Sequence, residues 1–334
     1  MGHAIATVTG GSGDEAHYKV LAAIRTLALA NGWTVLRYIN TGDVRELILN
    51  SSGLSGTEDI YIGFRTYQSV SADYYNLLVG TFTGYVSANS FDSQPGARLS
   101  GVPCHNNAVT YFITANAQRI AGCFKVGTPV YTHFYAGKML PYSRPGEYPS
   151  PLVCAGMFDG AAEKRFSDVD YAFPYHGRES GNASRPSRLW LRDQAGAWRR
   201  LSHFPFYNGQ QSTDGAYGSN ALANYNYLAS GNQRALVPAG TNYQPQPIIL
   251  YTAETDGTEF YGNVFGELDG VYAVSGFNNN VENVMQVGGS YVDPTGLSVA
   301  DHVGGILSAG GRAFVVLQDV NQTDWRSFIA LEMT

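Results

Sequence analysis

Charge is scarce in this chain. Only 14% of its 334 residues are Asp, Glu, Lys or Arg, against roughly 25% in an ordinary globular protein. No basic run is longer than Arg199-Arg200, and the net charge is −6. A basic stripe of the kind that phosphate contacts require is therefore missing, and no nucleic-acid partner is expected. Apolar runs fall far short of the ~18 residues that a membrane helix needs, so no membrane partner is expected either. Cysteine is sparse: Cys104, Cys123 and Cys154 form an odd set with no Cys-x-x-Cys spacing, and they read as reduced residues in a chain large enough to do without bridges. The first residues, Met1 to Ala6, have neither the charged start nor the apolar centre of a signal peptide, and Ala6 breaks the myristoylation pattern. The expectation is a protein made and assembled in a cytoplasm.

Catalytic constellations are missing too. The chain has no His-Glu-x-x-His, no Gly-x-Ser-x-Gly, and no calcium loop of the usual spacing. The glycine-rich run Val8-Thr9-Gly10-Gly11-Ser12-Gly13 has no lysine where a phosphate loop would need one. The seven histidines, at positions 3, 17, 105, 133, 176, 203 and 302, include no pair at i, i+2 or i+4, so no metal site and no cofactor are expected. Two carboxylate pairs, Asp168 with Asp170 and Glu267 with Asp269, leave a glycosidase reading open. Against it, Glu267 and Asp269 flank a tight stretch from Gly266 to Gly270, where acidic side chains commonly cap turn N–H groups. Cys104 and His105 are neighbours, and adjacent strand residues point to opposite faces, the wrong geometry for a thiol–imidazole pair. No catalytic residue is assigned, and the chain is not expected to be an enzyme.

What is present is aromatic and flexible in composition: 13% aromatics, with 23 tyrosines, and 39 glycines. Tyr, Ser, Asn, Thr and Gly supply the amphipathic area and adaptable hydrogen bonds favoured at protein interfaces. A β-rich chain with many turns would raise the same residues. The central stretch is 109–151. Val109, Tyr111 and Ile113 recur with the period of two of a half-buried strand, Asn116 sits where a tight turn would fall, and Ile120, Gly122, Phe124 and Val126 alternate again, which predicts a β-hairpin. Next comes 140–151, where Pro141, Pro145, Pro149 and Pro151 accompany Tyr142 and Tyr148. Prolines fix φ and lack an N–H, so this segment is neither helix nor central strand but a stiff surface arm or rim.

Towards the N-terminus, Ser12 with Glu15 reads as a capping box opening a helix over 14–31, with Val20, Leu21, Ile24, Leu27 and Ala28 as its apolar stripe and Gly32 as its stop. His17 on this helix is expected at the surface or packed. Strands follow at 33–39, 47–49 and 60–64. A second helix is expected over 299–308, opened by Ser298 with Asp301 and closed by Gly310-Gly311, followed by strands at 313–317 and 328–331. The fold class is thus α+β and β-rich: antiparallel sheets with one N-terminal and one C-terminal helix and a loop-rich middle region. The division expected is an N-terminal α+β unit (1–98), the hairpin and Pro/Tyr arm (99–157), a loop-rich exposed region (158–246) and a C-terminal α+β unit (247–334). The two ends look loosely repeated.

Several blocks resemble one known family. These are the hairpin turn Ala115-Asn116-Ala117-Gln118-Arg119; Ala136-Gly137 running into Leu140-Pro141-Tyr142 and Glu147-Tyr148-Pro149; the run from Asp59 to Tyr67 with Asp73-Tyr74-Tyr75-Asn76 and Phe82-Thr83-Gly84-Tyr85; Gly266-Glu267-Leu268-Asp269-Gly270-Val271-Tyr272; and the run from Gly311 to Val320. Together they resemble a family of tailed-bacteriophage virion structural proteins. Ala117 stands where that family would have a turn glycine, and Gln118 where a second basic residue is usual. The resemblance implies a subunit of the particle's tail, baseplate or neck and collar, assembled through Tyr-rich interfaces with copies of itself and with other virion proteins. The interface residues expected are Pro141, Tyr142, Pro145, Tyr148 and Pro149 in the arm, with Tyr67, Tyr74 and Tyr75 as further anchors; packing within the subunit is their other reading. A second hypothesis is a receptor-binding fibre or tip that contacts a host surface glycan through Trp190, Trp198, Tyr207, Tyr225 and Tyr227. A hydrolase on the bacterial envelope is a third.

Overall fold

The computed structural model describes residues 1–11, 13–105, 107–127, 130–141, 151–162, 174–175, 178–180, 183–185, 188–193, 195–200, 244–251, 264–275, 306–309, 312–318 and 328–333. Among them the chain forms three antiparallel sheets and one α-helix, plus a two-stranded ribbon.

The first strand, β1 (Gly2–Val8), precedes the helix α1 (Ala16–Leu29). The expected apolar stripe is the buried one: Val20, Leu21, Ile24, Leu27 and Ala28 are all in the core. The expected cap is not present in the form foreseen. The N-cap is Glu15, which makes no side-chain cap hydrogen bond, and Ser12 lies outside the described residues. The helix ends before Gly32, whose φ of +86° turns the chain into the next strand.

Five consecutive strands then build a sheet, each pairing antiparallel with the next: β2 (Thr34–Ile39), β3 (Glu46–Ser51), β4 (Ile60–Ser69), β5 (Tyr74–Phe82) and β6 (Arg98–Pro103). A sixth, β12 (Phe158–Asp159), pairs on the far side of β6.

The hairpin expected over 109–126 is β7 (Val109–Ala115) with β8 (Arg119–Lys125), paired from Thr110–Lys125 to Ala115–Ile120. Its strands are the second and third of a seven-stranded sheet of order β1, β7, β8, β9 (Tyr131–Lys138), β11 (Leu152–Ala155), β15 (Leu189–Arg192) and β16 (Trp198–Arg200). The third sheet contains β10 (Leu140–Pro141), β17 (Gln244–Tyr251), β18 (Val264–Ser275), β19 (Ile306–Ala309), β20 (Arg312–Gln318) and β21 (Phe328–Glu332). The ribbon is β13 (Arg178–Ser180) with β14 (Ala183–Arg185).

The seven-stranded sheet is the middle layer of three, as the side chains on its two faces show. Val109, Tyr111, Ile113, Ile120, Phe124, Phe134 and Ala136 pack with α1 and with Leu47, Ile62, Phe64 and Val79 of the first sheet. Phe112, Ala121, Cys123, Tyr135 and Val153 pack with Leu268, Val271, Val315, Leu317 and Ile329 of the third. A strand closed on both faces shows no exposed alternation. This is why β7 and β8 are buried almost throughout, where alternation alone predicts a half-buried hairpin.

The C-terminal helix expected over 299–308 is not supported. Its last residues, from Ile306, form β19, paired antiparallel with β20 from Ile306–Val315 to Ala309–Arg312; 298–305 lie outside the described residues. A short apolar run does not separate helix from strand by its period. Gly310-Gly311, read as a helix stop, equally suits the connection of a hairpin. No helix among the described residues is long and apolar enough to cross a membrane.

Candidate functional site

The turn Asn116-Ala117-Gln118 between β7 and β8 is the point where all three sheets are tied together. Asn116 Oδ1 accepts hydrogen bonds from the N–H groups of Gln118 (2.8 Å) and Arg119 (3.0 Å), the Asx geometry that makes Asn a turn former. On one side, Trp33 Nε1 donates to Asn116 O (2.7 Å) and Ser51 Oγ to Ala117 O (2.5 Å), anchoring the turn to the first sheet and its helix. On the other, Asn116 Nδ2 donates to Asp269 Oδ2 of β18 at 2.6 Å.

The same carboxylate oxygen lies 3.5 Å from Nε of Arg119, a side chain with no exposed surface. Arg119 also donates from Nη1 to Thr114 Oγ1 (3.1 Å). Tyr135 completes the cluster: its hydroxyl donates to Lys138 O (2.8 Å) and accepts from the N–H of Asp269 (3.3 Å). Burial, with the Asp269 charge adding to it, pushes the Tyr135 phenol well above its ordinary range.

Two glycines make room. A Cβ at Gly270 (φ +72°) would fall 1.8 Å from Arg119 Nη2, and one at Gly137 (φ +128°) would fall 2.5 Å from the carbonyl oxygen of Gln118. The blocks at 115–119, 136–141 and 266–270, far apart in the chain, thus meet in one place. Leu140 and Pro141 pair directly with Glu267 and Gly266.

No protein-family model and no curated protein sequence matches the chain.

Chemically the cluster is a structural clamp. Asp269 is committed to Arg119 and Asn116, so it is not a free partner for Glu267 in a two-carboxylate mechanism. Asp168 and Asp170 lie outside the described residues.

A second buried group joins the middle and third sheets. His133 Nε2 is 2.7 Å from Gln318 O and 3.7 Å from Cys123 Sγ. A carbonyl only accepts, so Nε2 carries the proton and cannot take one from the thiol. The pair is not an activated nucleophile. Burial lowers the His133 pKa to about 4 in spite of the Gln318 bond. His17 is likewise fully buried, with its ring on Tyr18 and Tyr75. Burial first and the Arg45 charge second lower its pKa to about 3, against the influence of Gln68. Among the described residues no group of three or more His, Cys, Asp or Glu could hold a metal ion.

The residues proposed for contact fall in different places. Pro141 lies on the short strand β10, and Tyr142, Pro145, Tyr148 and Pro149 lie outside the described residues. Tyr67, Tyr74 and Tyr75 each keep less than a tenth of their surface, and Tyr67 OH donates to Ala162 O (3.1 Å). Trp190 has Arg98 stacked over its ring at 3.2 Å and its Nε1 on Asp159 Oδ1 at 3.2 Å. Trp198 Nε1 donates to Gly96 O (2.9 Å), and its ring packs on the core. Tyr207, Tyr225 and Tyr227 lie outside the described residues.

Sequence reasoning missed the Arg119–Asp269 pair and the Cys123–His133–Gln318 contact. An arginine directly before the apolar run Ile120-Ala121-Gly122-Cys123-Phe124 was the one available signal for the first. For the second there was none, because it joins residues 185 positions apart.

Proposed function

We propose that the chain is a structural subunit of a tailed-bacteriophage particle, placed in the tail, baseplate or neck and collar, and that its work is assembly with copies of itself and other virion proteins. What supports the reading is the convergence of the resembling blocks. The turn at 115–119, the Ala136-Gly137 to Pro141 run and the 266–270 segment form one buried clamp. The resembling blocks thus meet in an architectural cluster, which suits a part whose product is a shape. A low charge content and 23 tyrosines fit a surface covered largely by neighbours.

The test is to purify particles on a density gradient from the strain that carries this gene and to locate the protein by peptide mass spectrometry and gold-labelled antibody. Co-sedimentation with DNA-filled particles, with gold at the neck or tail, is the expected result. Absence of the protein from intact particles overturns the proposal. Gold only at fibre tips, together with glycan binding, would favour the receptor-binding alternative.

A further inference from the structure

We infer that β1 is a self-pairing edge: two copies of the chain join antiparallel through Gly2–Val8, with Ile5 facing Ile5 of the second copy across a two-fold axis. An exposed strand edge offers unpaired N–H and C=O groups to any other strand, and proteins defend such edges with charge, proline, bulges or shortness. Every other sheet edge among the described residues is defended in one of these ways. On β2 the pairing is bulged between Val35 and Arg37, and Arg37 carries a charge. The three-residue strand β16 contains Arg199 and Arg200, and β17 contains Pro245 and Pro247. Only two residues each form β10 and β12, and four form β19.

β1 has none of these devices. It is seven residues long, pairs with β7 in unbroken register from Gly2–Ala115 to Val8–Val109, and contains no Asp, Glu, Lys, Arg or Pro. On one face Ala4 and Val8 pack against the core, while Ala6 between them is exposed. On its other face Ile5 sits opposite the buried Phe112, yet is 47% exposed. Ile5 is thus on the same face of the middle sheet as Phe112, which packs in the layer against the third sheet.

The occupant is specified by charge and symmetry. A neutral strand pairs here without stranding a charge opposite Ile5, and β1 is itself such a strand. Its midpoint is Ile5, so a two-fold register sets Ile5 on Ile5, Ala4 on Ala6 and His3 on Thr7 of the second copy. Because each copy offers one undefended edge among the described residues, the contact is isologous and closes at a dimer, without growing into a fibre. The inference concerns β1 alone and stands whether or not the chain belongs to a virion.

Sedimentation equilibrium of the full chain from low to high micromolar concentration tests it, with the variants Ile5→Lys and Ile5→Cys checked for native circular dichroism. The wild type is expected to populate a dimer. Ile5→Lys, which sets two like charges face to face, should weaken it at least tenfold. The native thiols are buried, so Ile5→Cys under mild oxidation should give a disulfide-linked dimer at least tenfold faster than Ile39→Cys on the exposed β2 edge. A wild type that stays monomeric, a dimer that Ile5→Lys leaves intact, or equal cross-linking at positions 5 and 39 overturns the inference.

Discussion

Lowering the pH from 7 to 5 should cost this protein about 4 kcal/mol of stability through two histidines alone. His17 and His133 are buried as neutral rings, with pKa values lowered to about 3 and about 4, while in the unfolded chain both return to about 6.5. Between those limits the unfolded state binds more protons than the native one, so stability rises with pH and is lost as pH falls from about 6.5 towards the folded values. At pH 5 neither native ring is appreciably protonated, whereas both unfolded ones are. Each histidine then contributes about 2 kcal/mol of destabilisation relative to pH 7, from 1.36 kcal/mol per pH unit per proton. Carboxylates barely titrate in this window, since their unfolded pKa values lie near 4. The assay is urea unfolding at half-unit pH steps between 7 and 5, for the wild type, His17→Gln, His133→Gln and the double variant. Each single variant should remove about half of the pH dependence, and the double variant should flatten it. A wild-type stability that does not change over this range, or a slope that survives in the double variant, would refute the assignment of these two rings as buried neutral groups.

Truncating Arg119 to Ala should cost roughly 3–5 kcal/mol, because it leaves Asp269 buried without its counter-charge; urea titration at pH 7 measures it. Replacing Arg119 and Asp269 together by Met and Leu should recover much of that loss, which a double-mutant cycle would show as strong coupling. Gly137→Ala should destabilise by at least ~1–3 kcal/mol, the usual range for a strained backbone position, since its Cβ would press on a backbone carbonyl that cannot swing away. Thermal unfolding against a Gly127→Ala control, where the nearest atom is 3.9 Å away, reads the difference. A thiol reagent should find no fast-reacting cysteine in the native protein and three in urea: all three are buried, burial pushes the Cys154 thiol up to about 12, and Cys104 is raised further.

The parts of the fold legible in the sequence were those marked by a polar face or by a turn residue. The stripe of α1 was readable because its opposite face is polar, and the β7–β8 hairpin because Asn116 punctuates two apolar runs. β5 was not. All nine of its residues are buried, including Asn76, Gly80 and Thr81, so it shows neither alternation nor a clean apolar run. Gly2–Val8 was missed because its small residues carry almost no pattern and its partner strand follows a hundred residues later. At the clamp, Asn116 was visible as a turn residue, and Glu267 with Asp269 as acids beside glycines. That Asp269 meets Arg119 is a property of the stacking of sheets, which local periodicity does not encode.

The clamp also bears on the order in which the chain can be completed. Arg119 emerges from the ribosome with the hairpin, together with most strands of the first two sheets, while Asp269 arrives about 150 residues later. Until then the two finished sheets would hold a guanidinium at a surface meant to be interior, and closing over it would strand the charge. The expected consequence is that the arginine keeps the apolar face of the middle sheet from committing to a wrong cover before the third sheet is made. A nascent chain arrested after residue 251 should then expose that face to protease, whereas one released beyond residue 334 should not; equal protection of the two would show that the first two layers close without waiting.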